Sequence, residues 1–381
     1  MDFNFTEEQI ALRDLAREIL EAEVTPEHLK KIEQGSDWYS AQLWSKFADA
    51  NLLGLGIPEE LSGMGFGIVE LCLLLQEVGR AVAPIPALPT LVLGALPIAR
   101  FGTEAQKKRF LPSVATGKTL LSAALVDADS GDIRAPASRA RHDGSGWRLD
   151  GRKRFVSGAN RAERILVPAV TDAGLGLFLL DPNSDGVALS GGKTSTHEPI
   201  FELALSGARV ADDDLLGGQV ADPAAGASQL AWLCDCALVA ISATQIGVCE
   251  RALEITTQYV SERQQFNAPI GSFPAVQHRS ADCYIDITSL RWITWRAAWK
   301  LASDLDSSRD ASIAKFFAAE AGARVGTAVQ HLHGGMGADR DYPIHRYFLW
   351  SKSLELNLGS AMPQLATLGR DMARTGPQEF L

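Results

Sequence analysis

The chain has 381 residues, 46% of them apolar and 22% charged, with mean hydropathy near zero. That is the profile of a globular protein too long for one hydrophobic core, and it excludes a disordered chain. The net charge of −10 disfavours a nucleic-acid partner, because binding to a phosphate backbone rests on basic patches.

Taken in order, the chain opens with apolar residues at helical spacing from Phe5 to Ala22, with Thr6 as N-cap and Glu8 and Gln9 in the first turn. Asp2, Glu7 and Glu8 stand where a secretory leader needs basic residues. The apolar stretch 81–96 contains several prolines and is shorter than the roughly 20 residues that cross a bilayer. The expectation is a cytoplasmic protein without membrane contact. Further helices are predicted at 39–50, 67–81, 89–101 and 104–115, separated by Gly- and Pro-containing turns. Residues 1–118 therefore read as an all-α domain.

The composition then changes. Segments 120–126, 146–149, 165–169, 175–180 and 199–210 are short, β-rich and bounded by Asp, Asn, Gly and Ser. Phe201, Leu203 and Leu205 alternate with Glu202, Ala204 and Ser206, the period of a strand buried on one face. Residues 119–221 read as a β-domain. Helical periodicity returns over 222–381, in segments 224–261, 273–303, 311–332, 344–356 and 362–373. The third unit reads as a helix bundle.

The five cysteines, Cys72, Cys234, Cys236, Cys249 and Cys283, are odd in number and lack metal-ligand spacing. Cys234 and Cys236 sit two apart on a predicted helix and diverge, so buried thiols are expected and no metal site.

Two segments carry chemistry. In Tyr259 to His278 a helix end, a turn and a helix start frame Arg263 and Phe266. Arg263 reads either as a cation at a helix C-terminus with Phe266 in the core, or as part of a signature. In the second segment, from His331 to Gly337, adjacent glycines at Gly334 and Gly335 serve either a tight turn or a close backbone approach to a ligand. His331 and His333 lack matched metal ligands and read as turn and packing histidines.

Together these segments resemble the acyl-CoA dehydrogenase family, whose Arg-x-x-Phe-Gly-x-x-Ile and Gln-x-x-Gly-Gly-x-Gly stretches lie this far apart. Here they read Arg263-Gln-Gln-Phe266-Asn-Ala-Pro-Ile270, and His331 takes the place of the glutamine. The resemblance extends to Phe5-Thr-Glu-Glu-Gln9, to Gly56-Ile-Pro-Glu-Glu-Leu-Ser-Gly63 and to the helix, β, helix order, so it spans the chain. It implies an α+β multidomain fold: a helical domain, a barrel- or sandwich-like β-domain and a helix bundle.

It also implies FAD at a subunit interface, an acyl-CoA substrate and electron transfer to an electron-transferring flavoprotein. Arg263 and Phe266, with His331, Gly334 and Gly335, would serve a neighbour's pyrophosphate and adenosine. The family's Trp-Ile-Thr, which covers the flavin, appears as Phe155-Val156-Ser157. Its Thr-Glu-Pro-x-x-Gly-Ser-Asp stretch appears only as Leu125 to Asp132, without the proline.

The family's base, a glutamate in Tyr-Glu-Gly-Thr, falls in Asn357-Leu358-Gly359-Ser360, so Leu358 takes its place and Ser360 follows as a cofactor contact. An alternative family position falls at about Ala237, where the nearest carboxylate is Asp235, some 200° around the helix. The family's chemistry needs a carboxylate at the substrate α-proton. The losses resemble the two-chain acyl-CoA dehydrogenases of actinobacterial steroid catabolism, and the run from His345 to Leu349 fits that group. Three readings follow: a partner-dependent subunit of a heteromeric enzyme, a self-sufficient homotetramer using Asp235, and a silent acyl-CoA- or FAD-binding protein.

Overall fold

A computed structural model describes residues 4–35, 38–220 and 223–376. Asp2 and the expected junction at 221–222 lie outside them. By packing, the chain divides into two compact units. One takes in residues up to Gln34, Cys72–Ala83 and the chain from Leu238 onward; the other takes in Gly35–Leu71 and Pro84–Ala237.

The first unit is helical. α1 (Glu7–Glu23) starts on a capping box: Gln9 N donates to Thr6 Oγ1 at 3.2 Å and Thr6 N donates to Gln9 Oε1 at 3.0 Å. α2 (Pro26–Gln34) buries only Leu29, and its polar surface hid it from the periodicity. The C-terminal part of α4 (Ile68–Ala81) and of α7 (Pro223–Glu262) come next, then α8 (Pro274–Ala302), α9 (Ser308–Leu332), α10 (Ile344–Leu356) and α11 (Ala361–Thr375). α9 packs against α8, α10 and α11.

α4 and α7 touch through backbone. A Cβ on Gly247 would lie 1.8 Å from Gln76 O, and one on Gly79 2.1 Å from Thr244 O. Glycine inside a helix costs about 1 kcal/mol relative to alanine, and this approach is what it permits. Among the described residues α7, rather than 81–96, is the helix long and apolar enough to cross a membrane. Yet 94% of its most apolar window is buried in the protein, as in a core helix.

The second unit holds α3 (Ala41–Asp49), a π-wound turn at Leu88–Ala95 running into α5 (Leu96–Phe101), α6 (Glu104–Ala115) and the sheet. Eight strands form it: β1 (Leu121–Ala123), β2 (Val126–Asp127), β3 (Arg139–His142), β4 (Trp147–Ser157), β5 (Arg164–Thr171), β6 (Gly174–Leu180), β7 (Val187–Lys193) and β8 (Pro199–Val210). Their order is β1-β5-β3-β4-β8-β7, with β2 on β4 and β6 on β5.

In β8, Leu203 and Leu205 are buried while Ala204 and Ser206 are exposed, as the alternation requires. One face packs Val156, Val167, Phe178, Leu180 and Leu203 into a core. Within that unit Lys153 is fully buried, its Nζ 2.6 Å from Asp127 Oδ2 and 2.9 Å from Pro168 O. Burial lowers the Lys153 pKa, and Asp127 opposes the shift. All five cysteines are buried and none is in a disulfide among the described residues, and burial pushes Cys234 and Cys249 up to about 12.

Candidate functional site

α7 ends at Glu262, and the chain turns through a two-stranded hairpin, β9 (Gln264–Gln265) and β10 (Ala268–Pro269). Its two-residue loop is Phe266-Asn267, with φ of +52° and +64°. Positive φ at both central residues is what a tight hairpin of this hand demands, and asparagine tolerates it better than most side chains. Asn267, where the resembled family has glycine, takes the positive φ this turn requires. Phe266 is lifted to the tip, 88% exposed, with its ring edge-on to Phe273 at 6.1 Å. It is not a core residue. Arg263 at the base of the hairpin is exposed and pairs with no carboxylate among the described residues; its backbone receives Ile270 N at 2.8 Å.

The end of α9 comes to the same place through an aromatic stack. His333 is buried, its ring 4.5 Å from that of Tyr259 and nearly parallel to it, and Tyr259 lies four residues before Arg263. His333 Nδ1 lies 2.8 Å from Val329 O and Nε2 lies 3.2 Å from Tyr342 OH. Burial lowers its pKa, favouring the neutral ring. The stack fixes the next residues: Gly334 takes φ of +57°, and a Cβ built on Gly334 or on Gly335 meets nothing within 4 Å. The space over both glycines is open. His331 is exposed on the last turn of α9, so the two histidines play separate parts.

In the sheet unit, β4 and β8 slip register between Lys153 and Val156. This bulge re-aims Phe155, which takes φ of +58° and is 64% exposed. Ser157 rejoins the ladder opposite Ile200, and its Oγ donates to Glu198. Burial raises the Glu198 pKa, and the Ser157 bond opposes it. Sequence reading missed Glu198, because it meets Ser157 only through the pairing of β4 with β8.

Two positions were expected to bear on a base. Leu358 lies in the turn between α10 and α11 with φ of +53°, half-buried, its carbonyl receiving Gln364 Nε2 at 3.2 Å. Ser360 begins α11 without a side-chain capping bond. Asp235 is buried on the sheet unit's part of α7, where its Oδ1 lies 2.5 Å from Arg134 Nη2. Arg134 is a second residue that sequence reading missed.

Residues 6–118 match the N-terminal domain model of the acyl-CoA dehydrogenases, and residues 224–373 match the C-terminal domain model. Acyl-CoA dehydrogenase FadE27 of Mycobacterium tuberculosis is 37% identical over 98% of this chain and 100% of its own length. The chain belongs to the acyl-CoA dehydrogenase family. Two solved structures match over its length. One is a Tcur3481-Tcur3483 steroid ACAD variant, 41% identical with a TM-score of 0.89, covering 97% of this chain and 98% of that one. The other is the ChsE4-ChsE5 complex from Mycobacterium tuberculosis, 37% identical with a TM-score of 0.91, covering 98% and 100%. The helix, sheet, helix order of this acyl-CoA dehydrogenase fold agrees with the architecture expected from sequence.

Proposed function

We propose that this chain is a partner-dependent subunit of an FAD-dependent acyl-CoA dehydrogenase that acts on a bulky, steroid-type acyl-CoA. The observation that carries it is Leu358: the family's base position holds a side chain that can take no proton. Asp235, the alternative, is held by Arg134, and that pairing supports a packing role. The names of the steroid ACAD and the ChsE4-ChsE5 complex, both two-chain assemblies, support the division between unlike subunits and the substrate class.

The residues present fit FAD best on the bundle side. Arg263 is exposed with no competing carboxylate among the described residues, and its planar fork suits two pyrophosphate oxygens. The open space over Gly334 and Gly335 admits an adenosine moiety against backbone. Phe266 and His331 flank these positions. On the sheet side Phe155 offers an exposed ring face and Ser157 a hydroxyl already shared with Glu198; Ser360, at the start of α11 in the helical unit, offers a further hydroxyl. When bound, FAD supplies the hydride acceptor for α,β-dehydrogenation of the acyl-CoA to a trans-2-enoyl-CoA. The α-proton then goes to a carboxylate of the homologous partner subunit.

An electron-transferring flavoprotein as acceptor, a cytoplasmic location and the domain division at 1–118, 119–221 and 222–381 belong to the same reading. The matched stretches 6–118 and 224–373 support the division.

The test is the visible spectrum of the chain alone and co-purified with its homologous subunit, before and after anaerobic addition of a steroid side-chain acyl-CoA. Flavin bleached only in the co-purified sample is the expected result. Bleaching by the chain alone would establish a self-sufficient enzyme and overturn the reading of Leu358. Bound flavin that no partner renders reducible by substrate would make it a silent binding protein.

A further inference from the structure

The connection between α9 and α10 is tied back onto α9 at two points. Gln330 Nε2 donates to the carbonyl of Gly337, which closes the tight turn Gly334–Ala338. His333 reaches Tyr342 at the far end of the connection, Nε2 to the hydroxyl at 3.2 Å, and His345 Nδ1 holds the Tyr342 carbonyl at 2.7 Å from the start of α10.

The bonding pattern fixes the direction of each proton. Val329 O can only accept, so the proton of the neutral His333 ring sits on Nδ1 and Nε2 keeps a lone pair. The Tyr342 hydroxyl is therefore the donor to Nε2. Burial, with Tyr259 and Glu262 adding to it, raises the Tyr342 pKa, so this hydroxyl keeps the proton it donates. His333 pairs with no carboxylate among the described residues. Tyr259 faces it from α7 and Tyr342 from the connection, with Glu262 and His345 acting on Tyr342.

Through its ring face His333 reaches the second cofactor element. Tyr259 stacks on it at 4.5 Å, and Tyr259 lies on the turn of α7 that leads to Arg263, whose N donates to Tyr259 O at 2.9 Å. Tyr342 leans on the same pair, its ring 5.1 Å from that of His333 and 6.2 Å from that of Tyr259. One buried imidazole thus joins the turn that carries Gly334 and Gly335 to the helix end that carries Arg263.

We infer that Tyr342 is a positioning residue of the cofactor site: its hydroxyl, donating to His333 Nε2, holds that ring as a neutral wedge between the glycine turn and Arg263. The inference rests on the cofactor reading of these two segments. Protonation of His333 sets a second N–H against the hydroxyl that donates to it, and the wedge loosens. Burial lowers the His333 pKa, the Val329 bond opposing it, so the loosening comes only below the ordinary histidine value. Without the hydroxyl the neutral form loses its support, and the ring protonates at higher pH.

The test compares the wild-type chain with Tyr342→Phe, which keeps the ring and loses only the hydroxyl. Two quantities are measured: the NMR titration of His333 in the full chain, assigned by its loss in His333→Gln, and FAD retention by the co-purified assembly across pH. Tyr342→Phe is expected to move the His333 titration upward and the acid fall in retention upward with it. At neutral pH it should weaken retention by roughly two- to tenfold. A loss of packing alone would lower retention equally at every pH and leave the acid midpoint in place. Arg263→Ala is the control for the site itself and should weaken retention without moving that midpoint. An unmoved His333 titration, or an unmoved acid midpoint in Tyr342→Phe while Arg263→Ala weakens retention, would overturn the role of Tyr342 and leave the cofactor reading standing. Retention unchanged in both variants would overturn both.

Discussion

Replacing Arg263 with alanine should weaken FAD retention in the assembled enzyme and leave the fold intact. The side chain is exposed and makes no ion pair among the described residues, while the hairpin is held by backbone bonds that alanine keeps, Arg263 N to Tyr259 O and Ile270 N to Arg263 O. Its removal therefore shifts unfolding stability by no more than about 0.5 kcal/mol. What is lost is a charge-assisted bond to pyrophosphate, of about 1.5–3 kcal/mol, or roughly 10- to 150-fold in the dissociation constant. Arg263→Lys restores the charge without the fork and should fall between. The assay is equilibrium dialysis of the co-purified assembly against FAD, read by flavin fluorescence at low and high salt, with thermal melting of each variant as control. An alanine variant that keeps wild-type affinity and salt dependence would refute the assignment of Arg263 to the cofactor.

Two further outcomes concern buried lysines. Lys153→Met leaves Asp127 buried without its cation, but Ala137 N, Ser138 N and Ser138 Oγ still donate to that carboxylate. Loss of about 3 kcal/mol, the low end for breaking a buried pair, is expected in urea unfolding, and Asp127→Asn added to it should recover part; a loss below about 1 kcal/mol would show that the pair contributes little. Lys315 is buried in α9, donates to Glu355 O at 2.9 Å, and is pushed down to about 7 by desolvation. Its unfolded counterpart keeps the proton until near pH 10.5. Between those values the unfolded state carries the extra proton, so stability rises with pH, by on the order of 1 kcal/mol per unit. It is lost as pH falls through about 7. Chemical denaturation at stepped pH should show that slope in the wild-type chain and not in Lys315→Met; equal slopes would exclude this role.

The helices were legible because their apolar faces recur with the right period. The predicted segments 104–115 and 344–356 coincide with α6 and α10. What escaped notice was structure without such a face. α2 buries one leucine, and β7 is a mostly exposed strand that turns only Val187 and Leu189 toward the core, too short an alternation to read. β3, with Ala140 as its one buried residue, is similarly silent. In the candidate site, Arg263 with Phe266 and Gly334 with Gly335 could be singled out because each pair is local in the chain and the two pairs stand at family spacing. The partners of Ser157 and Asp235 could not. Glu198 and Arg134 are 41 and 101 residues from them in sequence, and only strand pairing and helix packing bring them together.

Those two partners bear on why this chain would need another. In a one-chain assembly each subunit must offer both a base and a flavin-facing hydroxyl free to bond the cofactor. Here the substitute weighed for the base, Asp235, is tied to a guanidinium that would compete with any substrate proton for its oxygen, and Ser157 already donates its proton to Glu198. The turn at Leu358 nevertheless has a defined shape: a left-handed residue, Gly359 at φ of +95°, and a carbonyl held by Gln364. A left-handed leucine costs roughly 1–2 kcal/mol, so packing and hydrogen bonding must hold this turn without help from a catalytic side chain. On the proposed reading, this turn keeps its backbone shape at the family's base position while Leu358 offers no group to take a proton. Arg263, exposed, and the open space over Gly334 and Gly335 are, on the same reading, the parts offered to a neighbour's cofactor. That imbalance within one chain is relieved when an unlike subunit supplies the carboxylate and this one supplies the arginine.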